Sequence, residues 1–175
     1  MNWPNRLSVI RVLCVPVLTA LLYSSAPWCA AAAAVVFSLA CATDFLDGYL
    51  ARKYSLVTDF GKFIDPVADK LLVLSSFIML VQLQLVPAWM TVLILARELS
   101  VDGLRLIAMT RNHVIAAGPL GKIKTASQMI CILLLLILRK PLLSEWYGII
   151  LTVWVSGITL FSGADYFRKN ASLFR

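Results

Sequence analysis

The chain has 175 residues, of which 61% are hydrophobic and only 14% charged. An ordinary soluble domain is about 45–50% apolar and about 25% charged, so this chain lacks the polar surface to cover its apolar content in water. A soluble globule, a disordered chain and a disulfide-stapled secreted domain are excluded; the net charge of +7 falls at helix ends and inside apolar runs instead of forming one patch, which argues against nucleic acid as a partner.

Six apolar runs lie at roughly 7–24, 27–50, 63–86, 88–110, 123–139 and 145–164, each near the ~20 residues that a membrane-crossing helix needs. The expected fold is all-α: an integral membrane bundle of six transmembrane helices forming a single domain over 1–175. The opening Met1-Asn2-Trp3-Pro4-Asn5-Arg6 lacks the short apolar segment and cleavage pattern of a secretory signal, so the first run is expected to stay as a span. Breaks fall at Ser24-Ser25-Ala26-Pro27, at the polar stretch from Arg52 to Lys62, at Val86-Pro87, at Gly118-Pro119 and at Lys140-Pro141. Arg6, Arg52, Lys53, Lys62, Arg111, Lys122, Lys124, Arg168, Lys169 and Arg175 then lie on one side, with Arg139 and Lys140 on the other. The positive-inside rule places both termini in the cytoplasm. The Ala30 to Ala34 run makes the second helix thin enough for close packing. Cys14, Cys29, Cys41 and Cys131 are scattered through apolar stretches and read as small hydrophobes. His113 is the chain's one histidine, so no zinc site can be assembled.

The second and third runs hold carboxylates that need a reason, since one at the centre of a membrane helix costs about 2.5–3.5 kcal/mol. Asp44, Asp47, Gly48 and Ala51 fall at i, i+3, i+4 and i+7, one stripe of a helix. Gly61, Asp65 and Asp69 recur every fourth residue on the next. A short connection makes the two helices antiparallel neighbours and brings both stripes together near the cytoplasmic interface. Four converging carboxylates repel one another unless a cation joins them. An all-oxygen set favours a hard ion, Mg²⁺ or Mn²⁺, and a cluster of this size has room for two. The plainer alternative is that single acids pair with Arg52, Lys62 or Lys70.

Asp44-x-x-Asp47-Gly48-x-x-Ala51-Arg52, then eight residues, then Gly61-x-x-x-Asp65-x-x-x-Asp69 resembles the complete signature of the CDP-alcohol phosphotransferases, eight specified positions over 26 residues. That resemblance implies six membrane helices over nearly the whole chain and a homodimer; with the charge bias, the active site is expected to face the cytoplasm from a bacterial cytoplasmic membrane. It implies that Asp44, Asp47 and Asp65 are metal ligands and that Asp69 lies near the metals and is the general base. Asp47, Gly48, Ala51, Arg52 and Gly61 are the positions expected to meet the CDP-lipid. Lack of bulk at Gly48, Ala51 and Gly61 lets a nucleotide lie against helix backbone, although small residues also serve helix packing. The forked donors of Arg52 suit a diphosphate, although a positive-inside anchor also fits.

The fourth helix carries Arg97, Glu98, Asp102 and Arg105, and Lys122 and Lys124 follow the next turn. Arg97 and Arg105 are eight apart and share a face, with Asp102 or Glu98 available to hold them. A cationic cluster near the cytoplasmic interface suits a phosphorylated acceptor; snorkelling to headgroups is the alternative for Lys122 and Lys124. Ala96-Arg97-Glu98-Leu99, Gly103-Leu104-Arg105 and Gly121-Lys122-Ile123-Lys124-Thr125 resemble the bacterial subgroup of the same family whose acceptor is sn-glycerol 3-phosphate. The resemblance implies that Arg97, Arg105, Lys122 and Lys124 bind the acceptor phosphate. Pro4-Asn5-Arg6-Leu7-Ser8-x-x-Arg11 resembles a further family motif, with Ser8 where Thr is usual and no settled role for Asn5 or Arg11.

The expected reaction joins CDP-diacylglycerol and glycerol 3-phosphate to give phosphatidylglycerophosphate and CMP. Inositol phosphate or phosphatidylglycerol as acceptor is the nearer alternative. A divalent-cation transporter using the four Asp is the more distant one, disfavoured by Gly48-x-x-Ala51-Arg52 and by the lack of paired broken helices.

Overall fold

The computed structural model describes the backbone of residues 3–24, 26–53, 59–110 and 118–171 and, within these, every side chain except those of 3–5, 27, 45, 47–53 and 59–63. The described residues form six helices: α1 (Trp3–Tyr23), α2 (Pro27–Lys53), α3 (Asp59–Gln82), α4 (Ala88–Thr110), α5 (Pro119–Leu138) and α6 (Trp146–Lys169), with a 3₁₀ turn at Leu142–Ser144 before α6. All-α architecture is therefore as expected. The helices overrun the apolar runs, α3 by starting at Asp59, α5 by starting at Pro119 and α6 by continuing to Lys169. Hydropathy marks only the lipid-facing part of a helix, whereas its ends follow backbone chemistry: Pro27 and Pro119 open α2 and α5 at the position where a missing N–H costs nothing. Pro16 and Pro66 lie inside α1 and α3, as membrane helices tolerate.

The chain divides into two compact units, Met1–Leu83 with Ile132–Arg139, and Gln84–Cys131 with Lys140–Arg175. In the first, α1 packs along both α2 and α3. Ala30, Ala33, Ala34, Phe37 and Ala40 form the buried face of α2, while Trp28, Val35 and Leu39 on its other faces are exposed, so the alanine run does serve close packing. On α3 the buried stripe is Ala68, Leu72, Ser76 and Leu80 at four-residue spacing. Ser8 and Arg11 of α1 reach Asp65 and Asp69 of α3. The contacts advance in the same direction on both helices, so α1 and α3 run parallel.

In the second unit α4 packs against α6. Arg97 meets Ser162 and Arg105 meets Tyr166, while Val101, Leu104 and Ala108 form an apolar cluster with Tyr166, flanked by Phe167. These two helices are also parallel. α5 runs the other way along α6, since Gln128 in its middle bonds Thr159, whereas Gly121 near its start lies by Arg97, whose partner Ser162 is farther along α6. Gly148 abuts the turn before α6, where a Cβ would lie 1.9 Å from the carbonyl oxygen of Leu142. The Leu142 N–H in turn donates to the carbonyl of Leu85 at 2.8 Å.

Polar and apolar residues are distributed as for a lipid solvent. Ser8, Arg11, Glu98, Lys124, Gln128 and Thr159 are buried, while Leu13, Leu39, Ile78, Leu99, Ile137 and Phe161 face outward. Such a surface is untenable in water and ordinary in a bilayer. Among the described residues three segments are long and apolar enough to cross a membrane, Arg6–Tyr23, Pro119–Leu138 and Trp146–Lys169, with a shorter apolar helix at Trp28–Asp44. The helices outside that set, α2, α3 and α4, carry the clustered charges singled out above.

Candidate functional site

The acidic cluster belongs to the first unit and is organised by α1. The Ser8 hydroxyl donates to Asp65 Oδ1. One turn later on both helices, Arg11 Nη1 donates to Asp69 Oδ1 at 2.7 Å. The same nitrogen lies 3.0 Å from Asp44 Oδ1 of α2. The guanidinium therefore ties a carboxylate of α2 to one of α3, so the two expected stripes meet through α1. Arg11 is wholly buried, while Asp44 and Asp69 keep about a third of their side-chain surface (34% and 32%). The cation lies behind the carboxylates, which remain open to a ligand.

Asp47, Gly48, Ala51 and Arg52 lie in the helical backbone of α2 and Gly61 in that of α3, but their side-chain positions fall outside the described residues. Among the described residues no three carboxylates close on a common point. What the described set offers is three partly accessible carboxylates, one of them bonded by the buried hydroxyl of Ser8, all oxygen donors on three helices. That chemistry fits a hard divalent cation and no soft one.

The basic cluster belongs to the second unit. Glu98 Oε1 accepts from Arg97 Nη1 at 3.0 Å and from Lys124 Nζ. Arg97 Nη2 donates to Ser162 Oγ at 2.9 Å. Two glycines leave room for this side chain: Gly163, where a Cβ would lie 3.2 Å from Arg97 Cγ, and Gly121, where it would lie 4.0 Å from Nη2. Arg97 Nε is buried without an acceptor among the described residues. Arg105 is held from α6, its Nε donating to the Tyr166 hydroxyl at 3.0 Å and its guanidinium carbon lying 5.6 Å from the Tyr166 ring centroid.

Of the expected acceptor residues, Arg97 of α4 and Lys124 of α5 are brought together by Glu98, and Arg105 of α4 is held by Tyr166 of α6. Lys124 is buried, so it does not snorkel to the headgroups; Lys122 is exposed and the described contacts do not join it to the cluster. Four residues carry more than their spacing announced. Ser8 and Arg11 lie three apart on an apolar helix, and a buried arginine there needs an anion. Ser162 and Tyr166 lie four apart on α6, on the stripe that also holds Thr152, Ser156 and Thr159.

The chain matches the family model described as CDP-alcohol phosphatidyltransferase over residues 1–156. It is 41% identical over 183 aligned positions to a Bacillus subtilis protein named CDP-diacylglycerol–glycerol-3-phosphate 3-phosphatidyltransferase, covering 97% of this chain and 95% of the relative. A Rickettsia bellii protein of the same name is 38% identical, with 99% and 97% covered. A Mycobacterium tuberculosis protein named probable phosphatidylglycerophosphate synthase is 43% identical, with 96% and 81% covered.

Proposed function

The chain belongs to the CDP-alcohol phosphatidyltransferase family, and on that premise we propose that it transfers the phosphatidyl group of CDP-diacylglycerol to sn-glycerol 3-phosphate, releasing CMP. The reading is carried by Arg97 and Lys124, joined through Glu98, and by Arg105 two turns along the same helix, with a buried N–H of Arg97 lacking an acceptor among the described residues. A phosphate dianion supplies the acceptor oxygens that such a group requires. The names of relatives aligned along nearly the whole chain support the same acceptor. We propose that residues 1–175 make up a single membrane domain of this family.

In this reading Arg97, Arg105 and Lys124, with the exposed Lys122, bind the phosphate of the acceptor and leave its hydroxyl as the reacting group. Asp69 takes the hydroxyl proton as the alcohol oxygen bonds to the phosphorus bearing diacylglycerol. The bond from that phosphorus to the bridging oxygen breaks and CMP departs with the electron pair. Gly48, Ala51 and Gly61 admit the nucleotide, and Asp47 and Arg52 meet its polar groups. Asp44, Asp47, Asp65 and Asp69 are the residues that would hold Mg²⁺ or Mn²⁺, as two ions, whose chemistry is to neutralise charge on the diphosphate.

The proposed setting is the cytoplasmic membrane of a bacterium, with six spans, both termini and the active site on the cytoplasmic side, and a homodimeric assembly. Helix direction supports the spans, since α1 parallels α3 and α4 parallels α6. Exposed Tyr23, Trp28, Trp89 and Trp146 lie at the ends of helices where an outer interfacial belt is expected.

The test is CMP release by the purified protein with CDP-diacylglycerol and Mn²⁺, offered glycerol 3-phosphate, inositol 1-phosphate, serine or phosphatidylglycerol in turn. Release is expected with glycerol 3-phosphate alone, and Asp69→Asn is expected to slow it about 100-fold or more. Activity with a neutral alcohol only would overturn the role of the basic cluster.

A further inference from the structure

Arg11 is a large side chain with no exposed surface, on a helix long and apolar enough to cross a membrane. A guanidinium in that setting persists only against anions, and the same nitrogen meets Asp69 at 2.7 Å and Asp44 at 3.0 Å. Asp44 and Asp69, by contrast, are about a third exposed (34% and 32%). A guanidinium nitrogen shared by carboxylates from two helices compensates charge on both.

We propose that Arg11 is the resident counter-cation of the acidic site: it holds Asp44 and Asp69 together against their mutual repulsion and competes with the divalent cation for them. This rests on the reading above that these carboxylates bind a metal ion. A positive charge less than about 4 Å from both carboxylates lowers the negative potential that a divalent cation would experience. The fold of the first unit then does not depend on the metal, and the ion is bound weakly enough to exchange. Ser8, which donates to Asp65 one turn earlier, orients the third carboxylate without adding charge. Arg11 is thus a positioning residue, acting through Asp44 and Asp69.

The experiment is thermal unfolding of the purified full chain in detergent, in EDTA and across a Mn²⁺ titration, for the parent, Arg11→Lys, Arg11→Met and Arg11→Met/Asp44→Asn. Arg11→Met is expected to lose roughly 5–10 °C in EDTA and to regain most of it in Mn²⁺. Its half-maximal Mn²⁺ concentration is expected to fall about threefold or more, because a competing charge has gone. Arg11→Lys is expected to follow the parent. The double variant, with one carboxylate neutralised, is expected to recover stability in EDTA, and it gives a readout even if Arg11→Met cannot be purified. An equal loss with and without Mn²⁺ would show a packing role and overturn the proposal, as would no loss in EDTA or a double variant no more stable than Arg11→Met. A parent whose unfolding ignores Mn²⁺ overturns the metal reading and this inference with it. A parent that responds, beside an Arg11→Met with no larger response, overturns this inference alone.

Discussion

Replacing Glu98 by glutamine tests the basic cluster directly, because the amide keeps the shape of the carboxylate and removes its charge. Glu98 is the carboxylate shared by Arg97 Nη1, at 3.0 Å, and Lys124 Nζ, and the three side chains are only 10%, 11% and 5% exposed. At an effective dielectric of about 20 the 3.0 Å pair attracts with roughly 5–6 kcal/mol. Desolvation offsets most of that in the intact pair. Removal of the anion alone leaves two nearly buried cations beside each other, a change that costs about 3–5 kcal/mol. For a chain of 175 residues the expected fall in apparent Tm is about 10 °C. Thermal unfolding of the purified variant measures it, and a titration with glycerol 3-phosphate supplies the second arm. A dianion binding among these cations replaces the lost negative charge, so the substrate is expected to raise the Tm of Glu98→Gln more than that of the parent. A variant that unfolds within about 1 °C of the parent would refute the reasoning, because the pairing would then contribute nothing measurable.

Tyr166→Phe keeps the ring beside Arg105 and removes the hydroxyl that accepts its Nε–H. The KM for glycerol 3-phosphate is expected to rise about 3–10-fold with kcat little changed, as steady-state CMP release would show. Gly148→Ala places a methyl group 1.9 Å from the Leu142 carbonyl oxygen, which is backbone and cannot rotate away; a loss of about 3 kcal/mol or more is expected in thermal unfolding, and a parental Tm would disprove the close approach. Lys140, in the exposed connection before α6, has its pKa raised first by its hydrogen bond to Glu145. Its folded value exceeds its unfolded one, so the contribution is fully present below about pH 10.4 and is lost as pH rises through the raised value. Because the group is fully exposed, Lys140→Ala is expected to leave Tm unchanged near neutral pH; a clear loss there would show that the ion pair matters more than its exposure allows.

The helices and the family were legible because they rest on local or linear features. Apolar runs of about 20 residues report the solvent that surrounds a helix, and the spacing from Asp44 to Asp69 is a one-dimensional pattern. Helix ends were less legible, since α3 begins at Asp59 within a polar stretch, where backbone hydrogen bonding continues after hydropathy has changed. The site was legible in its types of residue and not in its partners. Glu98 and Asp102 were equivalent by spacing, and packing selected Glu98 for Arg97 and Lys124. Nothing in the spacing distinguished Lys122 from Lys124, yet one is exposed and the other buried.

The sequence by itself determined that this is a membrane-embedded, all-helical chain of the CDP-alcohol phosphatidyltransferase family, because composition and motif spacing are properties of the chain alone. Only the tertiary structure decided that α1 joins the two acidic helices, that Arg11 is the cation between Asp44 and Asp69, and that Ser162 and Tyr166 hold Arg97 and Arg105. These pairings link residues 33 to 65 positions apart. At such separations only the packing of helices against one another determines which buried charge meets which partner.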